Sequence, residues 1–306
     1  MAFRTFSEIE AFILGTGIKK RIVLANAHDV HSLPAVIDAR RKGIAEATLI
    51  GHKDKILEIL ATEGEKAENY EIIDCHNDAE CARMAIEMVK NGKADMPMKG
   101  LMQTSDFMRA ILKKENGLLP AGNLISQLTV VEKEDGSGFF YVTDCAVNIA
   151  PDLETKKRIV KNAVDFAHMM GIEEPKVSAL CALEIPNPKI PSTMDAKALQ
   201  EAWENGEITG CKIGGPLDLA TSISPEAAAH KSVHGPIHGD ADILLVPNLD
   251  CGNILTKSLI FFAKAVSCGT MLGTKTPIIM ASRTDTAENK YRAILICLFM
   301  ATVADK

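Results

Sequence analysis

Three short stretches of the chain carry residue types suited to holding an anion. The first follows an apolar run at 277–281: Ser282-Arg283-Thr284-Asp285, then a helix-like segment at 287–303. Side chains placed directly after a strand emerge at the sheet edge. An arginine there presents a planar fork that matches phosphate oxygens two at a time. The second stretch runs from a strand at 243–246 through Pro247 to Asn248-Leu-Asp250-Cys-Gly252-Asn253 and a helix expected at 253–267. A turn of this kind ends in unpaired N–H groups and a helix dipole, both of which favour negative charge. Gly252 lets a ligand approach the backbone, and Lys257 lies one turn into the helix. The third is Met98-Lys99-Gly100, with Thr104 or Ser105 able to cap a helix at 107–114. Lys99 and Gly100 could approach a phosphate. Each stretch also has a plainer reading. Asn253 can be only a cap, Lys257 only a solvated side chain, and Asp285 with Glu288 a capping pair. Gly214-Gly215-Pro216 ahead of Asp218 reads first as a sharp turn.

The elements that must position these residues alternate. Strand-like runs at 21–25, 46–50 and 70–74 are followed by helices at 32–42, 53–63 and 78–91. That order argues for a parallel α/β sheet. The texture changes near residue 126, where strands at 127–132 and 138–143 flank a polar hairpin at 133–137. A long amphipathic helix at 152–171 follows, then a strand at 175–182, a helix at 195–205, a strand edge at 211–215 and a helix at 225–230. Residues 293–304 are uncharged and apolar, too short a run to span a bilayer, and read as part of a buried terminal helix.

At 306 residues the chain has room for about two domains. The net charge is 34 − 40 = −6, which argues against a broad nucleic-acid surface, since phosphate contacts need clustered excess Lys and Arg. The eight cysteines are scattered with no C-x-x-C pair, as expected of free thiols in a reducing compartment. Residues 1–10 lack the apolar core of a secretory signal, so a cytoplasmic location with no membrane partner is expected. There is no P-loop, no G-x-G-x-x-G after a strand and no G-x-S-x-G elbow. His234 and His238 stand four apart, but Gly235, Pro236 and Gly239 forbid the helix that would make them a metal pair. No metal is expected there, nor at Cys75-His76 with Cys81.

Taken together, the motifs resemble the phosphate acetyltransferase and phosphate butyryltransferase family, over nearly the whole chain. Met98-Lys99-Gly100 with Thr104, Gly214-Gly215-Pro216-Leu217 with Asp218, the run from Gly239 to Pro247 with Gly252-Asn253 and Lys257, and Ser282-Arg283 occur in family order. Lys99 in its Met-Lys-Gly setting, Asn187-Pro188 before Met194-Asp195, and Glu288-Asn289-Lys290 are more similar to the butyryl branch. The resemblance implies two α/β domains with a cleft between them, like isocitrate and isopropylmalate dehydrogenases. Residues 1–125 plus 276–306 would form the first domain; 126–275 would form the second and the interface of a homodimer or higher oligomer.

The implied reaction joins a short-chain acyl-CoA, butyryl or branched, and inorganic phosphate to acyl phosphate and CoA. CoA is a substrate, and no cofactor is required. Arg283 is expected to hold the phosphoryl group and Ser282 to bond near the sulfur or carbonyl. Gly252, Asn253 and Lys257 are expected to bind phosphate or the oxyanion, with Lys99, Gly100 and Thr104 lining the facing wall. The acetyl branch places an aspartate, its proposed base, where this chain has Asn289. Glu288, Asp285, the phosphate itself, or a thiol acidified by Arg283 and a helix dipole are the alternatives. Rival activities are phosphate acetyl transfer, CoA binding without turnover, and a metal-dependent dehydrogenase built on Asp240, Asp242 and Asp250.

Overall fold

A computed structural model describes residues 2–113, 115 and 117–304. The expected helix end at residue 114 and the expected domain end at residue 306 lie outside the described residues. The chain falls into two compact units: Phe6–Asn123 with Cys268–Lys306, called the first unit, and Met1–Thr5 with Leu124–Ser267, the second.

The first unit opens with α1 (Phe6–Thr16) and continues through β1 (Lys20–Ala25), α2 (Ser32–Arg41), β2 (Ala45–Gly51), α3 (Lys53–Thr62), β3 (Glu71–Asp74), α4 (Asp78–Lys90), β4 (Met96–Lys99) and α5 (Thr104–Leu112). Its four strands are parallel in the order β3-β2-β1-β4. The last four residues of β1 and all of β4 are buried, as strands covered on both faces must be. The chain runs outward from β1 to β3 and then crosses back to place β4 on the other side of β1. The carboxyl ends of β1 and β4 therefore flank the point where strand order reverses, the position at which open parallel sheets bind ligands.

The second unit holds β5 (Ser126–Glu132), β6 (Phe139–Thr143), α6 (Leu153–Met169), β7 (Lys176–Leu180), α7 (Pro191–Glu204), β8 (Lys212–Leu217), α8 (Leu219–Ile223), α9 (Pro225–His230), β9 (Ile243–Leu245) and α10 (Leu249–Phe261). β5 and β6 form the expected antiparallel hairpin, and β6, β9, β7 and β8 continue the sheet in parallel. The fold class is thus mixed α/β, one parallel and one mixed sheet. Val142, Leu180, Leu217, Leu244 and Val246 pack together in this unit's core.

The chain returns through β10 (Ser267–Leu272) and closes with α11 (Ala287–Ala304). Residues 293–299 of α11 are all buried, in keeping with a helix that is apolar all round. The expected strand at 277–281 is reduced to a single bridge between Ile279 and Met98, beside β4.

Candidate active site

Lys99 is the last residue of β4, and its backbone is fixed from both sides. Its N–H donates to the Ile279 carbonyl at 3.0 Å. The Gly100 N–H donates to the Ala25 carbonyl at 2.8 Å, and the Leu101 N–H to the Asn26 carbonyl at 3.1 Å. A Cβ on Gly100 would stand 2.2 Å from the Asn26 carbonyl oxygen, so glycine is required by this backbone contact. Asn26 itself holds a positive φ of 54° and donates through Nδ2 to Asp78 at 2.6 Å and to the Leu101 carbonyl at 2.9 Å. The turn after β1 and the turn after β4 are in this way locked together at the switch point.

The Lys99 side chain is only 3% exposed. Its Nζ donates to the Gly100 carbonyl at 3.3 Å, and it forms no ion pair among the described residues. Burial lowers its pKa, and the nearby charges of Lys290 and Arg283 lower it further, against the smaller opposing pull of Asp29 and Asp285; the result is about 8. Lys290, in the first turn of α11, is 2% exposed. It donates to Asp29 Oδ2 at 3.1 Å and to Ser32 Oγ at 3.0 Å. Asp29 also accepts the Ser32 N–H at 3.1 Å and the Ser32 hydroxyl. Burial alone would raise its pKa, but Ser32 and Lys290 outweigh it and hold the carboxylate ionised.

Arg283 is exposed and donates from Nη2 to Gln103 Oε1 at 3.4 Å, just ahead of α5. The Ser282 N–H donates to Asp285 Oδ2 at 2.8 Å, and the Ser282 and Thr284 hydroxyls lie 3.0 Å apart. Lys99, Gly100, Ser282 and Arg283, drawn from distant parts of the sequence, thus belong to one unit, with Lys99 and Arg283 close enough to repel.

Several local expectations are corrected. α11 starts at Ala287, so Thr286 rather than Asp285 holds the cap position; its Oγ1 accepts the Asn289 N–H at 3.2 Å. Glu288 instead meets Arg292 one turn on, and Asn289 Oδ1 accepts from Arg292 Nη1 at 2.6 Å. Thr104 does not cap α5: it is the helix's first residue, exposed, after Gln103. Nor does Asn253 cap α10. That helix begins one turn earlier, and Asn248 is the cap, accepting the Cys251 N–H at 3.0 Å. Gly252 therefore lies within the first turn. A Cβ there would meet the Asp144 carbonyl at 2.8 Å and Val246 Cγ2 at 2.9 Å, so close packing accounts for the glycine. Asn253 and Lys257, four apart, share a face of α10, exposed and half-buried respectively.

Within the second unit a cavity of about 660 Å³ opens beside the start of α10. Leu180, Ala182, Leu219, Val246, Pro247 and Leu255 line it, with the ion pair Lys156–Asp195 (2.6 Å) as a charged feature of its wall. Asp240 pairs with Lys176 and accepts the His238 N–H, and Asp242 accepts the Lys176 N–H. Among the described residues no group of three or more His, Cys, Asp and Glu is arranged to hold a metal, and no helix is long and apolar enough to cross a membrane.

Comparison with known proteins meets this geometry. The profile described as "Phosphate acetyl/butaryl transferase" matches residues 79–298. Phosphate butyryltransferase of Clostridium acetobutylicum is 41% identical over 97% of this chain and 98% of its own length. The chain belongs to the phosphate acetyl/butyryl transferase family. It is accordingly an enzyme, an acyltransferase. The phosphate acetyltransferase of Thermotoga maritima is 36% identical over 94% of this chain and 97% of its own. The crystal structure of a branched-chain phosphotransacylase from Enterococcus faecalis superposes with a TM-score of 0.83 at 32% identity, covering 92% of this chain and 99% of that one.

Lys290, Asp29 and Ser32 form a linked group that no motif in the sequence marks. In the sequence Lys290 stands out only within the Glu288-Asn289-Lys290 string, and Asp29 follows a strand end with no motif around it. The available signal was the Asp-x-x-Ser spacing just before α2, which sets the carboxylate against the helix N-terminus.

Proposed function

We propose that the chain interconverts a four- or five-carbon acyl-CoA plus phosphate with acyl phosphate plus CoA. The observation that carries this reading is the buried, unpaired Lys99 beside Arg283 and Lys290, a cluster whose mutual repulsion an anion would relieve. The acyl length follows the butyryltransferase relative and the branched-chain neighbour; acetyl transfer is the second reading, favoured by a more distant relative.

In this reading Arg283 holds the phosphoryl group, and Ser282 bonds near the sulfur or carbonyl. Asn253 and Lys257, on one face of α10 beside the turn that Gly252 allows to pack, keep in this proposal the phosphate- or oxyanion-binding role expected of them. Gly100 and Thr104 line the wall around Lys99. Asn289, tied to Arg292, orients the first turn of α11 rather than accepting a proton. Holding the nucleophile in line and stabilising the tetrahedral oxyanion are the two demands of acyl transfer that such a set can meet. The apolar cavity in the second unit is suited to an acyl chain or the pantetheine arm. CoA serves as substrate, and no metal enters the chemistry.

The two compact units correspond in this proposal to the two domains of the isocitrate and isopropylmalate dehydrogenase type. Exposed Ile254, Phe261 and Phe262 on and just after α10 support a homodimer formed through the second unit, where large apolar side chains would be covered. A cytoplasmic setting accords with eight free cysteines.

The test is release of free thiol from butyryl-CoA with and without inorganic phosphate. Release that requires phosphate and yields acyl phosphate supports the reading. No phosphate-dependent release from any short acyl-CoA removes it.

A further inference from the structure

We propose that the Lys99 amine carries the proton between the CoA sulfur and the phosphate oxygen, and that Lys290 is the positioning residue that keeps it able to do so. The inference rests on the phosphate acyltransferase reading and names the group that reading leaves unassigned.

The reaction has to move one proton. When CoA attacks acyl phosphate, the thiol S–H must lose its proton and the departing phosphate must gain one. The carboxylates and the amide near the cluster are each engaged elsewhere. Asn289 is no base near neutrality, and its Oδ1 is bonded to Arg292. Glu288 also faces Arg292, Asp285 accepts the Ser282 N–H, and Asp29 is held between Ser32 and Lys290. Lys99 remains. It is buried at the reversal point of the sheet, and among the described residues the one hydrogen-bond partner of its amine is the Gly100 carbonyl.

Charged groups near Lys99 come from three parts of the chain. Lys290 approaches from α11, Arg283 and Asp285 from the turn before that helix, and Asp29 from the turn after β1. Burial, Lys290 and Arg283 favour the neutral amine and outweigh Asp29 and Asp285, which leaves its pKa at about 8. A neutral fraction of about one in ten then exists at pH 7, enough for a proton carrier in this range. Lys290 is itself held by Asp29, whose Oδ2 stands 3.1 Å from its Nζ.

The step balances as follows. The neutral Lys99 amine takes the thiol proton; the thiolate forms the C–S bond at the carbonyl carbon; the C–O bond to phosphate breaks. The Lys99 ammonium then returns the proton to the leaving phosphate oxygen, restoring the neutral amine. The reverse direction uses the same states in the opposite order.

The experiment is the pH–rate profile for butyryl phosphate plus CoA in native enzyme, Lys99→Arg and Lys290→Gln, each checked for folding by circular dichroism and melting. In native enzyme the rate should rise with pH through about 8. Lys99→Arg keeps the charge but cannot release a proton, so kcat should fall by about 100-fold or more. Lys290→Gln still offers Asp29 a hydrogen bond but removes a cation, so the acid limb should move to higher pH. The ionisation of free CoA is not altered by that substitution, which separates the two sources of the limb. Lys99→Arg within about threefold of native, or an unmoved limb in Lys290→Gln, overturns the proposal. If Lys99→Arg does not fold, the Lys290→Gln limb alone decides. Native enzyme that turns over while these outcomes fail leaves the transferase reading standing; native enzyme that never turns over removes the reading itself.

Discussion

Lys290 Nζ lies 3.1 Å from Asp29 Oδ2, joining the last helix to the turn after the first strand across 261 residues of sequence. The contact holds the Lys290 side chain between α11 and the turn after β1, where it is one of the neighbours that lower the Lys99 pKa.

Arg283 is exposed, with Gln103 as a neutral partner at 3.4 Å, so its guanidinium can turn to a phosphate at little structural cost. Arg283→Ala should lower kcat/KM for butyryl-CoA and phosphate by about 100-fold or more, raise the phosphate KM and leave the melting temperature near native. Arg283→Lys should recover only part, because a point charge cannot make the paired contact. Steady-state kinetics at varied phosphate check this.

Gly100 has no room for a side chain: its Cβ would stand 2.2 Å from a backbone oxygen. Gly100→Ala should force apart the turns after β1 and β4, costing about 1–3 kcal/mol as overpacking does, and displace Lys99. Urea unfolding and activity should fall together. A variant with native stability and native rate would contradict this packing.

The cap of α11 belongs to Thr286. Thr286→Ala should cost about 1 kcal/mol by thermal or urea unfolding, whereas Glu288→Ala, which removes one helical pair with Arg292, should cost less than about 0.5 kcal/mol.

Asp218 caps α8 through the Thr221 N–H at 2.7 Å and pairs with Lys231 at 2.7 Å. Burial alone would raise its pKa, yet Lys231 and Thr221 prevail and bring it from 3.8 to about 2. A lowered folded-state pKa means that the ionised carboxylate stabilises fully above 3.8 and loses that contribution as pH falls to about 2. Asp218→Asn should therefore be less stable than native at pH 7, by about 1 kcal/mol for so exposed a partner. The two should converge toward pH 2.

Much of this arrangement was legible in the sequence because it depends on local pattern. The alternation of β1–α2, β2–α3 and β3–α4 is carried by short apolar runs and by amphipathic helices. The β5–β6 hairpin is carried by its polar turn. β4 was not legible: its four residues include Pro97 and only their burial beside β1 makes them a strand. The caps were placed late or early by a residue or a turn because Asn248, Thr286 and their neighbours are all good cap formers, and only helix phase chooses among them. Lys99 and Arg283 could be picked by type and by resemblance. That Lys290 would stand beside Lys99 could not, since their proximity exists only once α11 packs against α2.

The most direct test of the central claim is phosphate-dependent thiol release across acetyl-, propionyl-, butyryl-, isobutyryl- and isovaleryl-CoA. The account predicts the highest kcat/KM at four or five carbons, with release abolished when phosphate is withheld. A clear preference for acetyl-CoA would contradict the butyryl assignment, and release that is indifferent to phosphate would contradict the transferase chemistry itself.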